Sequence, residues 1–313
     1  MKKTKSADLS IPTFSIIVPT FNRATRLQKL INSLLNIEYP KSLYEIIVID
    51  DGSEDNTLEI LKSYGDQIYY YSIENSERGF ARNYGASKSK FEYLNFFDSD
   101  DICLPNHLIC AASVIITNKF PEFIAQGFEM KTDDGKTTFK TNWRENEILN
   151  KKLYQNILGC DGVFMRKDIA KENKFSTDRR IAGSEDWLLW LQIAHKYPII
   201  ASQAITHYGI EHPGRSIHDS KLRKISEKTK ILIRKISKFN YTYNGINIKK
   251  LSQNYLRLEL SQHLTSDNSA INKIRGIVLS TKSFWSYPKF NLLKLYILSF
   301  TNFFGITASR KKN

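Results

Sequence analysis

The feature that most constrains this chain is an alternation within its first hundred residues: four short, mainly apolar runs are separated by three segments of helical periodicity. FSIIVPTF at residues 14–21 is rich in β-branched residues and closed by Pro19, which predicts a strand buried on both faces. A helix follows, capped by Asn22 or Thr25, with Leu27, Leu30, Ile31, Leu34 and Leu35 at helical spacing before Pro40. YEIIVIDDGS at 44–53 is a second buried strand, and Asp55 or Asn56 opens a helix with Leu58 and Leu61 inward. QIYYYSI at 67–73, RGFARNYGASKSK at 78–90 and FEYLNFFDSDD at 91–101 read as strand, helix and strand. The order βαβαβαβ predicts an α/β fold, a Rossmann-like, mainly parallel sheet flanked by helices, with ligands gathered at the carboxyl ends of its strands. Two of those ends, Asp50-Asp51 and the run from Asp98 to Asp101, are acidic. Acids crowded there repel one another unless a cation or hydrogen bonds intervene.

Further on the pattern loosens. A helix is expected from about Leu104 to Asn118, strands in FIAQGFEM and KTTFKTNW around the Asp134-Gly135 turn, and a short strand in GVFM. Another helix starts near Ser184, with Trp187, Leu188, Leu191 and Ala194 on one face. After His218 the text turns to Lys-rich helical periodicity. The expected organisation is a tail over 1–10, an α/β domain over 11–218 and a basic helical region over 219–313. Length agrees, since 313 residues exceed what one core usually takes.

Cysteine usage and charge narrow the setting. Three cysteines without a CxxC pair predict a reducing compartment rather than a disulfide framework. Cys103, His107 and Cys110 lie close together but lack the fourth ligand that structural zinc requires. MKKTKSADLS is not followed by an apolar signal-peptide core, and no run reaches the length of a spanning helix, so a cytoplasmic location is expected. The net charge is +14, from 46 Lys+Arg against 32 Asp+Glu, and the surplus lies mostly after residue 220. Such a surplus attracts polyanions, and the expected partner is an anionic membrane surface at the inner face of the cell membrane. Residues 284–313, which interleave Trp, Tyr, Phe and Leu with Lys, either lie flat on that membrane or pack on the catalytic domain. No nucleic-acid-reading motif is present, so affinity for nucleic acid is expected to be non-specific and lost with salt.

The sharpest chemical signal is FFDSDD at 96–101. Asp98 and Asp100 are two apart at a strand end and project to the same side, with Asp101 as a possible third. Hard carboxylates converging there suit Mn²⁺ or Mg²⁺ holding a diphosphate; the alternative is a solvated acidic turn. Ser184, Glu185 and Asp186 occupy a helix's first turn, where the macrodipole favours carboxylates.

IIVPTFNR, IIVIDDGSEDNT, ERGFARNYGAS, FFDSDD and GSEDWLLW, in that order over roughly residues 11–216, resemble the family 2 glycosyltransferases of the GT-A fold. The resemblance implies a nucleotide site lined by Pro19, Thr20, Phe21, Asn22 and Arg23, with Asp51 accepting a hydrogen bond from the base beside Asp50 and Gly52. It implies that Arg78 or Arg82 counters diphosphate charge, that Asp98 and Ser99 approach the ribose, and that Asp98 and Asp100 hold the metal. His212 is implied as a further metal or phosphate contact, against the plainer reading of a surface histidine. Of the pair Glu185-Asp186, Asp186 is implied as the general base, while Trp187 and Trp190 either line the acceptor pocket or pack as core. A single base and no covalent nucleophile imply inversion. The QxxRW signature of processive relatives is absent, which favours single-sugar addition.

The function so implied is metal-dependent transfer from a nucleotide diphosphate sugar, UDP-linked first, to a hydroxyl of a glycan or lipid-linked acceptor in cell-surface polysaccharide biosynthesis. A nucleotidyltransferase is the competing enzyme class, but it usually needs a Gly-rich triphosphate loop, and PTFNRATR has no glycine. A catalytically inactive nucleotide-binding or interaction protein is the third alternative.

Overall fold

The computed structural model describes residues 11–212, 221–286, 288 and 290–303. The tail over 1–10, the domain boundary at 218 and the basic end over 304–313 lie outside the described residues. Those described form two compact units. One runs to Ile148 and adds Leu158–Lys174 and Tyr197–Ile210; the other holds Leu149–Ile157, Phe175–Lys196 and the chain from Glu211 onward.

The first unit opens with β1 (Phe14–Thr20), α1 (Ala24–Leu35), β2 (Tyr44–Asp50), α2 (Thr57–Ser63), β3 (Tyr69–Ser72), α3 (Arg78–Lys88) and β4 (Tyr93–Phe96), the alternation expected from sequence. It continues through β5 (Ile102–Cys103), α4 (His107–Thr117), β6 (Phe123–Thr132), β7 (Thr137–Lys140), β8 (Val163–Arg166) and α5 (Lys167–Glu172). After α6 (Glu185–Ala194), which groups with the second unit, the chain returns to the sheet as β9 (Ile200–Glu211). Strand order is β3-β2-β1-β4-β8-β6-β9-β5, with β7 beside β6. β3, β2, β1 and β4 run parallel, whereas β8 is antiparallel to both β4 and β6.

β1 and β2 are buried along their whole length because helices cover both faces. Ile46 and Val48 join Leu27, Leu30, Ile31 and Leu34 of α1, while the alternate residues Ile47 and Ile49 face Ala81 of α3. Gly85 is what lets α3 approach: a Cβ there would overlap the Ile17 side chain and lie 3.2 Å from that of Ile49. Gly85→Val is therefore expected to cost about 1–3 kcal/mol, the usual range for overpacking, read as a lower midpoint in urea unfolding.

Two expectations need correction, and one strand was not foreseen. Neither Asn22 nor Thr25 caps α1; its N-cap position is Arg23, without a side-chain bond, and the Ala24 N–H donates to Asp55 across the neighbouring loop. α6 is not one-faced: Glu185, Leu189, Trp190 and Ile193 are buried along with Trp187, Leu188, Leu191 and Ala194. β9 went unread altogether. Its buried positions include Ser202, Thr206 and His207, polar residues that break the apolar pattern.

The second unit contains α6, α7 (Leu222–Ser237), a small ribbon of β10 (Thr242–Tyr243) and β11 (Ile246–Asn247), α8 (Ile248–Thr265), α9 (Ala270–Ser286) and α10 (Phe290–Phe303). The Lys-rich text after 220 is thus helical as read. No described helix is long and apolar enough to cross a membrane.

Candidate functional site

Sequential strands β1, β2 and β3 step one way across the sheet, whereas β4 lies on the other side of β1. The reversal opens a crevice beyond the carboxyl ends of β1 and β4, where parallel α/β sheets place ligands. The loops that meet there are knitted to one another. Asn22, at φ 50, donates its N–H to the Ser53 hydroxyl and accepts from Glu54 N–H, tying the loop after β1 to the loop after β2. Arg23 lies 3.5 Å from Asp100 in the loop after β4.

The two acids ending β2 are buried and act on their surroundings through backbone bonds. Asp50 accepts from Ser53 N–H, while the two oxygens of Asp51 accept from the N–H groups of Ser76 and Glu77 at 2.7 and 2.9 Å. Glu77 is thereby held at φ 91, a conformation costly for any residue but glycine, immediately before the first turn of α3. Gly52, at φ 79, passes so close to Asn75 that a Cβ would lie 3.0 Å from its backbone nitrogen. Pro19 and Thr20 are buried, Phe21 is exposed, and the Thr20 hydroxyl has no hydrogen-bond partner among the described residues. A buried orphan hydroxyl at a crevice is a group that a ligand can satisfy.

At the end of β4 the structure brings together Asp98, Asp101 and Asp161, each offering an oxygen within 4.8 Å of the others. Asp161, in the turn before β8, was missed in the sequence; an acid directly preceding an apolar strand was the available signal. Its Oδ1 accepts from Asp98 N–H, and Asp101 Oδ1 accepts from Ile210 N–H of β9. Burial first, then the charges of Asp101 and Asp98, push the Asp161 carboxyl well above the usual range. His207 Nε2 is 4.0 Å away, but burial pushes that imidazole down to about 3, so it stays neutral and offers no charge in return. Arg82, 1% exposed, donates to Asp98 at 2.6 Å. Asp100, the sequence candidate for the metal, lies outside this trio beside Arg23. Ser99 is buried between them. A donor set of three carboxylates, crowded by their own charge, fits a hard divalent cation.

The two arginines of α3 are separated by their surroundings. Arg82 is buried against Asp98, whereas Arg78 is partly exposed on the first turn of α3 beside Glu77.

In the second unit, Gly183 at φ 74 turns the chain into α6. Glu185 is 2% exposed and accepts from Ser184 N–H, while Asp186 is half-buried and accepts from Trp187 N–H at 2.7 Å. The Ser184 hydroxyl makes no capping bond. Only the second acid of the pair is partly exposed. Of the two tryptophans read as acceptor-pocket lining or core, Trp187 is 2% exposed and donates its indole N–H to the Leu153 carbonyl, and Trp190 is wholly buried against Phe175. Lys228 of α7 donates to the Ala182 carbonyl, so a C-terminal helix holds the turn that leads into Asp186. His212, which groups with this unit, is buried at 5% exposure, against the plainer reading of a surface histidine.

A sequence profile described as glycosyl transferase family 2 matches residues 15–171. An uncharacterized glycosyltransferase of Rickettsia felis is 30% identical over 217 residues, which are 65% of this chain and 35% of that protein. The poly(ribitol-phosphate) β-N-acetylglucosaminyltransferase TarS of Staphylococcus aureus is 26% identical over 212 residues, 64% of this chain and 36% of that protein. The chain thus spans about a third of the length of these curated relatives. Among solved structures, TarS 1–349 in complex with UDP superposes with a TM-score of 0.66 at 20% identity, covering 94% of this chain and 88% of that one. A mannosyltransferase of Pyrobaculum calidifontis in complex with GDP-Man and Mn²⁺ gives 0.59 at 14% identity, covering 96% and 89%. At such identities the likeness is one of fold.

Proposed function

The chain belongs to glycosyl transferase family 2 and has the GT-A fold, and from that premise we propose that it is a metal-dependent, inverting glycosyltransferase. It moves one sugar from a nucleotide diphosphate sugar to a hydroxyl of a glycan or lipid-linked acceptor, in cell-surface polysaccharide biosynthesis. The observation that carries this reading is the trio Asp98, Asp101 and Asp161 at the β1/β4 crevice, a hard-cation donor set where the fold binds ligands. TarS has been solved with UDP-GlcNAc, which supports a UDP-sugar as the first donor to test, and the Mn²⁺ complex of the mannosyltransferase supports the metal.

Asp98, Asp101 and Asp161 would hold the cation, with Asp100 as the further candidate, and bound there it would neutralise charge on the departing diphosphate. Arg78, on the first turn of α3 and partly exposed, is the diphosphate contact; Arg82 is committed to orienting Asp98. Thr20 and Phe21 line the nucleotide, and Asp51, whose carboxylate is held in place by the Ser76 and Glu77 N–H groups, reads the base. Asp186 takes the proton from the acceptor hydroxyl as the sugar is transferred, while buried Glu185 fixes the start of α6. With no nucleophile assigned, displacement is direct and the anomeric configuration inverts. His212 is the remaining proposed contact for metal or phosphate. We infer a cytoplasmic location, peripheral to the inner face of the cell membrane, a reading supported by the +14 charge.

Calorimetric titration with UDP, GDP, dTDP and CDP, each with and without Mn²⁺, tests the reading. UDP is expected to bind, and only with metal. Binding of none of the four would leave an inactive interaction module.

A further inference from the structure

α9 is amphipathic the wrong way round for a helix whose only task is to pack. Its inward face is made of small residues: Gly276, Ser280 and Ser283 are buried, and a Cβ on Gly276 would come within 2.8 Å of the Ser261 carbonyl of α8. Four of its large apolar residues point out, while Ile277, Leu279 and Phe284 are half-buried. Ile271, Ile274, Val278 and Trp285 are 63, 57, 47 and 66% exposed. At 100° per residue these four fall within an arc of about 60°, a continuous stripe along the helix. Arg275 and Lys282, both exposed, flank that stripe on one side. A soluble helix buries such a stripe and exposes its small polar residues.

Charge selects the occupant. After Asp267 the sequence to residue 313 contains eight Lys and Arg and no Asp or Glu. A second copy of this chain would bring the same acid-free, cationic face against itself. An anionic bilayer offers both an apolar layer for the stripe and negative headgroups for its flanking cations. At 17 residues, α9 is shorter than a spanning helix needs, so it would lie in the interface plane.

We propose that the outward face of α9, from Ile271 to Trp285, is a membrane-docking surface that seats the chain on anionic lipid. This rests on the peripheral location proposed above and moves the contact upstream of the 284–313 segment read from sequence. The stripe lies in the plane of the bilayer surface, with Trp285 at headgroup level and Arg275 and Lys282 beside lipid phosphates.

The test uses the full chain in flotation with phosphatidylglycerol–phosphatidylcholine vesicles and with phosphatidylcholine alone. Binding to the anionic vesicles is expected, weaker by about tenfold or more without phosphatidylglycerol. Ile271→Ser, Ile274→Ser and Val278→Ser combined should abolish it while nucleotide affinity is unchanged. Trp285 gives an independent readout, because Trp143, Trp187 and Trp190 are at most 9% exposed. Brominated lipid should quench its emission in the wild type and leave the Trp285→Phe variant unaffected. A triple variant that floats like the wild type overturns the α9 face but leaves a contact elsewhere in the C-terminal region. Wild-type protein that binds neither vesicle overturns the membrane reading as well. A wild-type dimer dissolved by the triple variant would assign the stripe to self-association instead.

Discussion

Asp186→Asn is expected to lower the rate of transfer by about 10²–10⁴-fold, the usual contribution of a positioned general base, while nucleotide affinity stays at the wild-type level. The substitution keeps shape and one acceptor oxygen. The bond that Asp186 accepts from Trp187 N–H at 2.7 Å therefore survives, and with it the start of α6. What is lost is a carboxylate that can take a proton. Glu185→Gln separates this from a general effect of the acid pair: that side chain is 2% exposed, so its replacement is expected to shift unfolding more than turnover. Measuring donor consumption with acceptor, alongside calorimetric binding of the nucleotide, checks both. Unchanged turnover in Asp186→Asn would remove this residue from the mechanism.

Asp98→Ala is expected to weaken Mn²⁺-dependent nucleotide binding by at least about 100-fold, the upper end of what removing a mere outer-shell partner costs. Asp98 belongs both to the sequence pair with Asp100 and to the spatial trio with Asp101 and Asp161. Its loss also takes away the 2.6 Å partner of buried Arg82, so the binding measurement needs an unfolding curve beside it. Two further variants separate the pair from the trio. Asp161→Asn should reproduce the defect if the spatial trio holds the cation, and Asp100→Ala should reproduce it if the sequence pair does. Nucleotide binding that stays equally metal-dependent in Asp98→Ala would exclude this end of β4 from the metal site.

What could be read in advance, and what could not, divides along a physical line. β1, β2 and β4 were legible because strands covered on both faces must be largely apolar and the helices between strands must carry a stripe at 3.6 spacing; the half-exposed β3 followed from the alternation itself. Those demands act on neighbouring residues and leave a local trace. β9 left none. It carries buried Ser202, Thr206 and His207, whose partners come from far along the chain: Thr206 Oγ1 pairs with Gln126 and with the ring of His107. The cap of α1 failed for the same reason, since Asp55 from the next loop supplies it.

The sequence by itself determined the α/β alternation, the placing of acids at strand ends and the membership of a family recognised by five short motifs. Each is a matter of residues within about ten positions of one another. Tertiary structure alone decided which carboxylates meet. Asp98 and Asp161 are 63 positions apart and become neighbours because β8 pairs antiparallel with β4. It decided that Arg82 is buried on Asp98 while Arg78 stays partly open, and that Asp186 rather than Glu185 keeps its exposure. It also decided that the apolar side of α9 faces outward. Hydrophobic periodicity reveals that a helix has an apolar face, but which face is covered depends on the shape of its neighbours, and here only the small residues Gly276, Ser280 and Ser283 allow α8 to come close.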